Sequence, residues 1–364
     1  MPKVRTPNFK LTIGTHCFDD APMKQMVKDI IVEQESDGAS SFTVMLDDAL
    51  GTFSNGKKQI VEGNSCVIEL GYYEGGTTKL IEGIVTGVKS NRSEHSRNLF
   101  VVTGFDGLQA LTRGRKRRSW EKIKDSDLAS QIANECGLQP DVDDSGIIHP
   151  YVVQNNVNNL TFLKERAKRI GYEVKVVEKR LVFKKPQRTN GDAVATLSWP
   201  GPNTDTSASG ITILQRCDFN TSTMNVVKKV IVRGYDPKTA KAIVGTAEQI
   251  DGDKMGGTRN AGDAAAANNP DTTIQISDTP VTSQEEAETL AQSILDQRAG
   301  DYLTGKGKCE GNAKVACGNK IMIKDVGKEL DGEYYVTTSK HSLKLGQGRG
   351  CGYWTEFTVS RTGH

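Results

Sequence analysis

Both ends of this 364-residue chain alternate apolar and polar residues one by one, and between them the period changes to a helical one. Phe42, Val44 and Leu46 are separated by Thr43 and Met45, and Cys66, Ile68 and Leu70 fall on one side of the next run. IVTGVK and LFVVTGF keep the same habit. A strand turns successive side chains to opposite faces, so such runs, punctuated by Gly and Asn, predict half-buried antiparallel strands. Packed together they make a small sandwich or barrel. The pattern returns near the other end in KIMIK, EYYVTTS and YWTEFTVSR.

The period changes at residues 125–137, where Leu128, Ile132, Ala133 and Cys136 share a helical face. Asp125 or Ser126 is placed to cap this helix, and Gly137 to end it. In NNLTFLKERAKRIG, Leu160, Leu163, Ala167 and Ile170 form a second stripe, Glu165 and Arg169 are spaced for an ion pair, and Gly171 is the stop. Tyr172, Val174 and Val176 then alternate, Glu178–Lys179 turns the chain, and LVF returns. Helices followed by a hairpin make a compact αββ unit that closes at Pro186.

Beyond residue 190, WPGPNTDTSASG reads as a connector and KKVIVRGY as a strand. Residues 249–282 carry no apolar period and read as a long mobile loop that orders only on contact with a neighbour. Ser283 and Glu286 have capping-box spacing and open a helix with Ala287, Leu290, Ala291, Ile294 and Leu295 inward, closed by Gly300.

Two stretches resemble each other, from Gly63 and from Gly318. Each runs Gly-Asn, an alternating strand, a loop, an acidic-Gly pair (Glu82-Gly83; Asp331-Gly332) and a second strand, with LFVVTGF or YWTEFTVSR to finish. Two antiparallel hairpins can look alike by chance, so a general likeness of hairpins stands beside a true duplication. If it is a duplication, the chain holds two related modules, and three copies of such a chain can close a ring of six. That joins a six-fold partner to a three-fold one.

Few residues stand at spacings that carry chemistry. Lys and Arg number 47 against 45 Asp and Glu, a balance that points to no polyanionic partner. No run is long and apolar enough to span a membrane, and MPKVRTPNFK lacks the apolar core of a secretory signal. The seven scattered cysteines (17, 66, 136, 217, 309, 317, 351) read as mostly buried thiols of a protein made in a reducing cytoplasm. The histidines (16, 95, 149, 341, 364) have no metal-ligand spacing, and Cys309 and Cys317 have no CxxC beside them. DVDDSGII matches the start of a calcium loop, but Val152 stands where the bidentate Glu is required and Pro150 interrupts, so an Asx-rich turn is expected. GQGRGCG at 346–352 has no helix behind it and reads as a flexible hairpin tip rather than a phosphate cradle. RGRKRR, Arg113 to Arg118, is read first as a loop between domains, then as a protein-docking patch, and last as a nucleic-acid contact. No catalytic, cofactor-binding or metal-binding residue is assigned, and no cofactor is expected.

The segment YVVQNNVNNLTFLKERAKRIGYEVKVVEKRLVFKKP carries a further signal. Its Gln154, Asn158, Phe162, Leu163, Ala167, Gly171, Tyr172, Leu181 and Phe183 resemble a pattern of the phage late-control D family of tail baseplate hubs and of the hub region of VgrG spikes. The end of the chain, from LDGEYYVTTSKHS to YWTEFTVSR, is similar to that family's closing hairpin. The resemblance implies an α+β, β-rich fold: a first tube-like antiparallel β-barrel over residues 1–112, an αββ domain over 113–188, and a second, related barrel over 189–364 with a long loop and helix inserted at about 249–300.

It further implies a non-enzymatic baseplate hub of a contractile tail or injection system. Such a hub is a homotrimer with a pseudo-six-fold ring, docking an inner tube protein on one side, a separate spike protein on the other, and other baseplate proteins around it. Nucleic-acid binding and membrane insertion are not expected. Synthesis would be cytoplasmic, with assembly into a particle. The alternatives are a tail-associated cell-wall hydrolase and a carbohydrate- or receptor-binding module. A binding module would expose aromatics on loops, whereas Trp199 and Trp354 read as core or interface.

Overall fold

The computed structural model describes all residues except 1–4, 37, 57–58, 93–97, 187, 189–190, 202–209, 237–238, 251–254, 256–260, 269–271, 347–349 and 364. The N-terminal module contains β1 (Pro7–Ile13), β2 (His16–Cys17), α1 (Met23–Met26), β3 (Val27–Glu35), β4 (Ser41–Asp47), β5 (Ser65–Tyr72), β6 (Gly76–Asn91) and β7 (Leu99–Asp106). The middle unit follows with α2 (Gln109–Thr112), β8 (Lys116–Lys124), α3 (Asp125–Glu135), β9 (Gln139–Val142), β10 (Ile148–Val157), α4 (Asn159–Ile170), β11 (Glu173–Val177) and β12 (Arg180–Lys184). Next come β13 (Ala195–Ser198), β14 (Ile211–Thr221), β15 (Lys229–Asp236), β16 (Lys241–Ala247), α5 (Ala261–Asn268), β17 (Thr273–Ile276) and α6 (Gln284–Gly300). The chain ends with β18 (Leu303–Glu310), β19 (Lys320–Lys324), β20 (Gly332–Lys344) and β21 (Gly352–Arg361).

The fold is β-rich, as the alternation predicts. One sheet of 13 strands runs β19-β13-β14-β18-β21-β20-β3-β4-β7-β6-β5-β1-β2, and β19 also pairs with β20. That last pairing closes β13, β14, β18, β21, β20 and β19 into a six-stranded barrel. The N-terminal strands repeat the same order, β1-β5-β6-β7-β4-β3, and wrap a core of Phe9, Leu11, Ile30, Phe42, Val44, Ile68 and Leu70. Two differences separate the modules. The first strand, β1, runs antiparallel to β5, whereas β13 runs parallel to β19. And β3 pairs with β20 of the other module instead of closing onto β1. Among the described residues the C-terminal module is a closed barrel, and its N-terminal relative opens to join it.

The duplication is legible bond by bond. Gly63 donates its N–H to the Val85 carbonyl and Val85 donates back to Asn64, at 2.8 and 2.9 Å. Gly318 donates to Val336 and Val336 to Asn319, both at 2.9 Å. Gly63 and Gly318 have φ of 91° and 88°, a region that glycine enters without penalty. The ladders also slip at matching places: between Val85 and Gly87 and between Val336 and Thr338, and again between Val27 and Asp29 and between Leu214 and Arg216. Bulges disrupt pairing locally and re-aim a strand, so two at equivalent places are not expected of unrelated hairpins. The equivalence corrects one detail. Val85 matches Val336, so Glu82-Gly83 faces Glu333-Tyr334 and not Asp331-Gly332, two residues away.

In the middle unit both helices form where expected. Leu128, Ile132 and Ala133 are buried, and Gly137 takes a left-handed φ of 71°. Asn158 caps α4 by accepting the Thr161 N–H at 2.8 Å, and Gly171 ends it at φ 70°. Asp125 is not the cap of α3: it is the first helical residue, and Lys124 precedes it without a side-chain bond. Nor does RGRKRR form an interdomain loop throughout, since Lys116, Arg117 and Arg118 open β8, which pairs with β10. β9 adds to the hairpin β11–β12 in parallel with β12.

The stretch without an apolar period also departs from expectation. Within 249–282, α5 buries Ala261, Ala264 and Ala265 against the barrel core, and β17 pairs with β15. Small alanines pack through close approach, which leaves no amphipathic signature; the remainder of that expectation falls largely outside the described residues. The sheet β16-β15-β17 is covered by α6, whose Ala287, Leu290, Ala291 and Leu295 are buried as predicted. This unit is inserted between β14 and β18 and so begins earlier than residue 249.

Candidate assembly surface

Strands β14, β18, β21, β20, β3, β4, β7 and β6 form one uninterrupted antiparallel run across both modules. Period-two alternation gives that run one apolar face, buried in the two cores, and one polar face. On β21, Tyr353, Thr355, Phe357 and Val359 are buried while Trp354, Glu356, Thr358 and Ser360 are half-buried. The polar face crosses the joint between modules because β20 is long: its first residues pair with β19 and residues 338–344 pair with β3.

Charges line up across the strands of this face. Arg216, Lys308, Glu356, Lys340 and Glu33 are consecutive register neighbours. Lys308 Nζ lies 3.6 Å from Glu356 and Lys340 Nζ lies 2.7 Å from Glu33. The next row reads Asp218, Lys306, Thr358, Thr338 and Glu35. The two rows line an open groove of about 620 Å³ at the joint. Lys308 also sits over the Trp354 ring, 4.8 Å from its centroid, so Trp354 belongs to this face. Such pairs are solvent-screened and hold the register more than they stabilise the fold. Reversing Lys340 to Glu should cost up to about 1 kcal/mol by opposing two carboxylates, and adding Glu33→Lys should recover most of it; a double-mutant cycle in urea measures the coupling.

A second cluster is buried where the middle unit meets the inserted one. Arg166 of α4 clasps Asp125 through Nε at 2.6 Å and Nη2 at 3.0 Å. His149 of β10 places Nε2 at 3.0 Å from Asp125 and Nδ1 at 3.4 Å from Glu286 of α6. Glu286 also accepts from Arg169 at 2.9 Å and from the Thr282 N–H at 2.8 Å. The expected partnership of Arg169 with Glu165 thus gives way to one across units.

Burial works to raise the Asp125 carboxyl, but hydrogen bonds from His149 and Arg166 outweigh it and hold it below its ordinary value. Glu286 is brought down to about 2 in the same way, against its burial, by His149 and Thr282 hydrogen bonds and the Arg169 charge. For His149, burial opposes protonation, yet the two carboxylates raise it. A His–Asp pair can serve as a general base, but only with a free ring nitrogen near a reacting atom. Here both nitrogens face carboxylates and the imidazole is buried, so the cluster works as a clasp.

His341 is fully buried at the joint, with Tyr353 and Thr355 hydroxyls each 3.1 Å from Nδ1, and burial brings it down to about 3. His16 lies 3.3 Å from the Gln59 carbonyl, and His95 and His364 lie outside the described residues. The seven cysteines are all free thiols, with Cys66 and Cys309 buried and Cys17 exposed. The DVDDSGII turn is held by Asp144, which accepts the Gly146 N–H and pairs with Lys124, both at 3.0 Å. In the 346–352 tip, residues 347–349 lie outside the described residues. Within the basic run, Lys116 reaches Glu135 at 2.9 Å and Arg118 reaches it at 2.6 Å and also bonds Gln154 and Asn159, the buried amides behind it, while Arg113, Arg115 and Arg117 are exposed. Trp199 is partly exposed. Among the described residues no group of His, Cys, Asp and Glu is arranged to hold a metal ion, and no helix is long and apolar enough to cross a membrane.

Comparison with solved structures places the fold. A 43 kDa tail protein of prophage MuSo2 from Shewanella oneidensis is similar with a TM-score of 0.69 at 14% identity, over 98% of each chain. A tail protein from Neisseria meningitidis MC58 gives 0.68 at 13%, over 98% of this chain and 97% of that one. The E. coli c3393 protein, a component of the type VI secretion system with structural similarity to the T4 bacteriophage tail proteins gp27 and gp5, gives 0.59 at 12%, over 98% of this chain and 78% of that one. No curated protein matches. The model of the Alg8 N-terminal domain family matches residues 10–344. The chain therefore belongs to the Alg8 N-terminal domain family and carries the fold of phage tail and VgrG-related hub proteins.

Proposed function

We propose that this protein is a non-enzymatic baseplate hub of a contractile tail or tail-like injection system, three copies of which form a pseudo-six-fold ring between a hexameric inner tube and a trimeric spike. The observation that carries this reading is the duplication: two modules of one strand order, with matching bulges and matching Gly-Asn bonds, joined edge to edge in one sheet. A joint that repeats at a fixed rotation closes a ring, and two modules per chain let three chains supply six positions. Residues 1–112 and 189–364 would build the ring, with 113–188 outside it as a shoulder. The polar face of the eight-strand run would line the ring's channel, where side chains meet water and passing cargo rather than a core.

The similarity to tail proteins supports a particle component, made in the cytoplasm and assembled with an inner tube protein, a spike and other baseplate proteins. No cofactor enters the reading, and in the buried clasp both His149 nitrogens already face carboxylates. A cryo-electron map of the assembled particle end tests it: three copies around the axis are expected, and one copy or six overturns the reading.

A further inference from the structure

Part of the basic run is left without a counter-ion, and it stands beside a cavity. Strand β8 alternates, so Lys116 and Arg118 turn inward to Glu135 while Arg117 is exposed on the other face. Gly114, at φ 71°, turns the chain between α2 and β8, and Arg113 and Arg115 on either side of it are exposed too. Among the described residues none of these three arginines pairs with a carboxylate. An exposed arginine is ordinarily just a solvated one. Two observations set Arg113 apart. With Lys116 it lines a cavity of about 300 Å³ between the N-terminal module and the middle unit, whose apolar wall includes Ile84 and Ala110. Two carboxylates also line it. Asp106 is spent on the Ser40 and Leu108 N–H groups, each at 3.0 Å, and Glu135 is shared by Lys116 and Arg118. Three cations therefore stand around one carboxylate that can answer them. The second observation is apolar. Ile84 is 42% exposed and its ladder partner Phe105 is 38% exposed. The row that carries Lys340 and Glu33 runs on through Ser41 to these two residues and turns apolar there.

We infer that this cavity takes an acidic segment of another protein. One apolar side chain of that segment enters over Ile84 and Ala110. Carboxylates flanking it are gripped by Arg113 and drawn in by the field of Arg115 and Arg117. Concave sites with an apolar wall and a few placed charges are the common form of a binding pocket. Charge selects the occupant here. A basic segment would meet guanidinium groups that nothing neutralises, and a purely apolar one would cover Arg113 without pairing it. A nucleic acid would suit the arginines but has no aliphatic group to set against Ile84 and Phe105. A guanidinium holds a carboxylate through two parallel hydrogen bonds, so Arg113 supplies direction as well as attraction. The segment is thus read for an apolar residue at one position and for charge at its neighbours. The inference goes beyond the hub reading and does not depend on a ring, since one chain holds the whole cavity.

Fluorescence anisotropy on the full chain tests it, with labelled peptides Glu-Glu-Xaa-Glu-Glu in which the central residue is Leu, Phe, Met, Ser or Asp. Saturable binding is expected for Leu, Phe and Met, and binding about tenfold weaker or more for Ser and Asp, the worth of one buried apolar side chain. Arg113→Glu should weaken every peptide by about tenfold or more. Ala110→Phe, which fills the cavity, should erase the preference for an apolar centre and keep the part driven by charge. Arg113 is exposed, so its variant carries the test alone if Ala110→Phe does not fold. Absence of saturable binding, affinities indifferent to the central residue, or an Arg113→Glu chain that binds as before would each overturn the inference. So would a single-stranded DNA oligonucleotide that binds more tightly than any peptide. Light scattering closes the last alternative: if Arg113→Glu changes the mass of the unliganded protein, the cavity is a contact between copies and the inference fails.

Discussion

Replacing Asp125 with Ala is expected to remove about 3–5 kcal/mol of stability, because it leaves the Arg166 guanidinium and the His149 imidazole buried without their carboxylate. Arg166 Nη2 lies 2.8 Å from His149 Nε2, and the Asp125 carboxylate is what lets two basic groups share that space. Denaturant unfolding measures the loss, and a change below about 1 kcal/mol would mean the cluster is an exposed pair in effect. The clasp also sets a pH window. Asp125 and Glu286 sit below their ordinary values when folded, so their contribution is complete above the unfolded carboxylate range and fades as pH falls, for Glu286 through about 2. His149 is raised, so its contribution is complete below about 6.5 and fades as pH rises through its folded value. His341 has the opposite sense to His149: buried neutral, it disfavours the fold as pH drops from about 6.5 towards 3. Stability should therefore fall on acidification from both His341 and the carboxylates, and Asp125→Ala should flatten the part that belongs to the clasp.

The second large effect lies at the core of the N-terminal module. Phe42→Ala should cost about 3–5 kcal/mol by emptying a fully buried ring site. The ring lies across its ladder partner Gly104, where a Cβ would stand 2.3 Å from Phe42 Cζ and 2.2 Å from the Ile84 carbonyl. Gly104→Val should therefore also destabilise, by forcing ring and backbone apart rather than by leaving a void. Urea melts of the two variants distinguish the causes: the double substitution should lose less than the sum of the singles, since removing the ring relieves its part of the clash while the contact with the Ile84 carbonyl remains. Additive losses would show that ring and glycine do not share one site.

Much of the local structure was readable from residue order because its causes are local. Period-two runs produced β4, β5, β7 and β21, and left-handed glycines at 137 and 171 closed the two central helices. The resemblance in Asp125–Pro186 and the Gly-Asn repeat pointed to the hub-like fold that the comparison with tail proteins bears out. What escaped had non-local causes. Lys116–Arg118 read as a charged loop because nothing nearby shows that Glu135, Gln154 and Asn159 will neutralise and pair it within a strand. Helix α5 escaped because alanines that pack by closeness leave no stripe. The acidic-Gly alignment slipped by two because hairpin length, not residue type, changed between the copies.

The sequence by itself determined most of the segments that become strands or helices, since alternation, caps and turns act within a few residues, and it left a true duplication beside a chance likeness of hairpins until the matching bonds and bulges decided it. Only the tertiary structure decided that β3 leaves its own module to pair with β20, and that Asp125, His149, Arg166 and Glu286 meet in one clasp. The reason is physical: strand edges and buried charges are satisfied by whichever partner the folded chain brings near, and that partner lies hundreds of residues away for β3 and more than a hundred for Glu286.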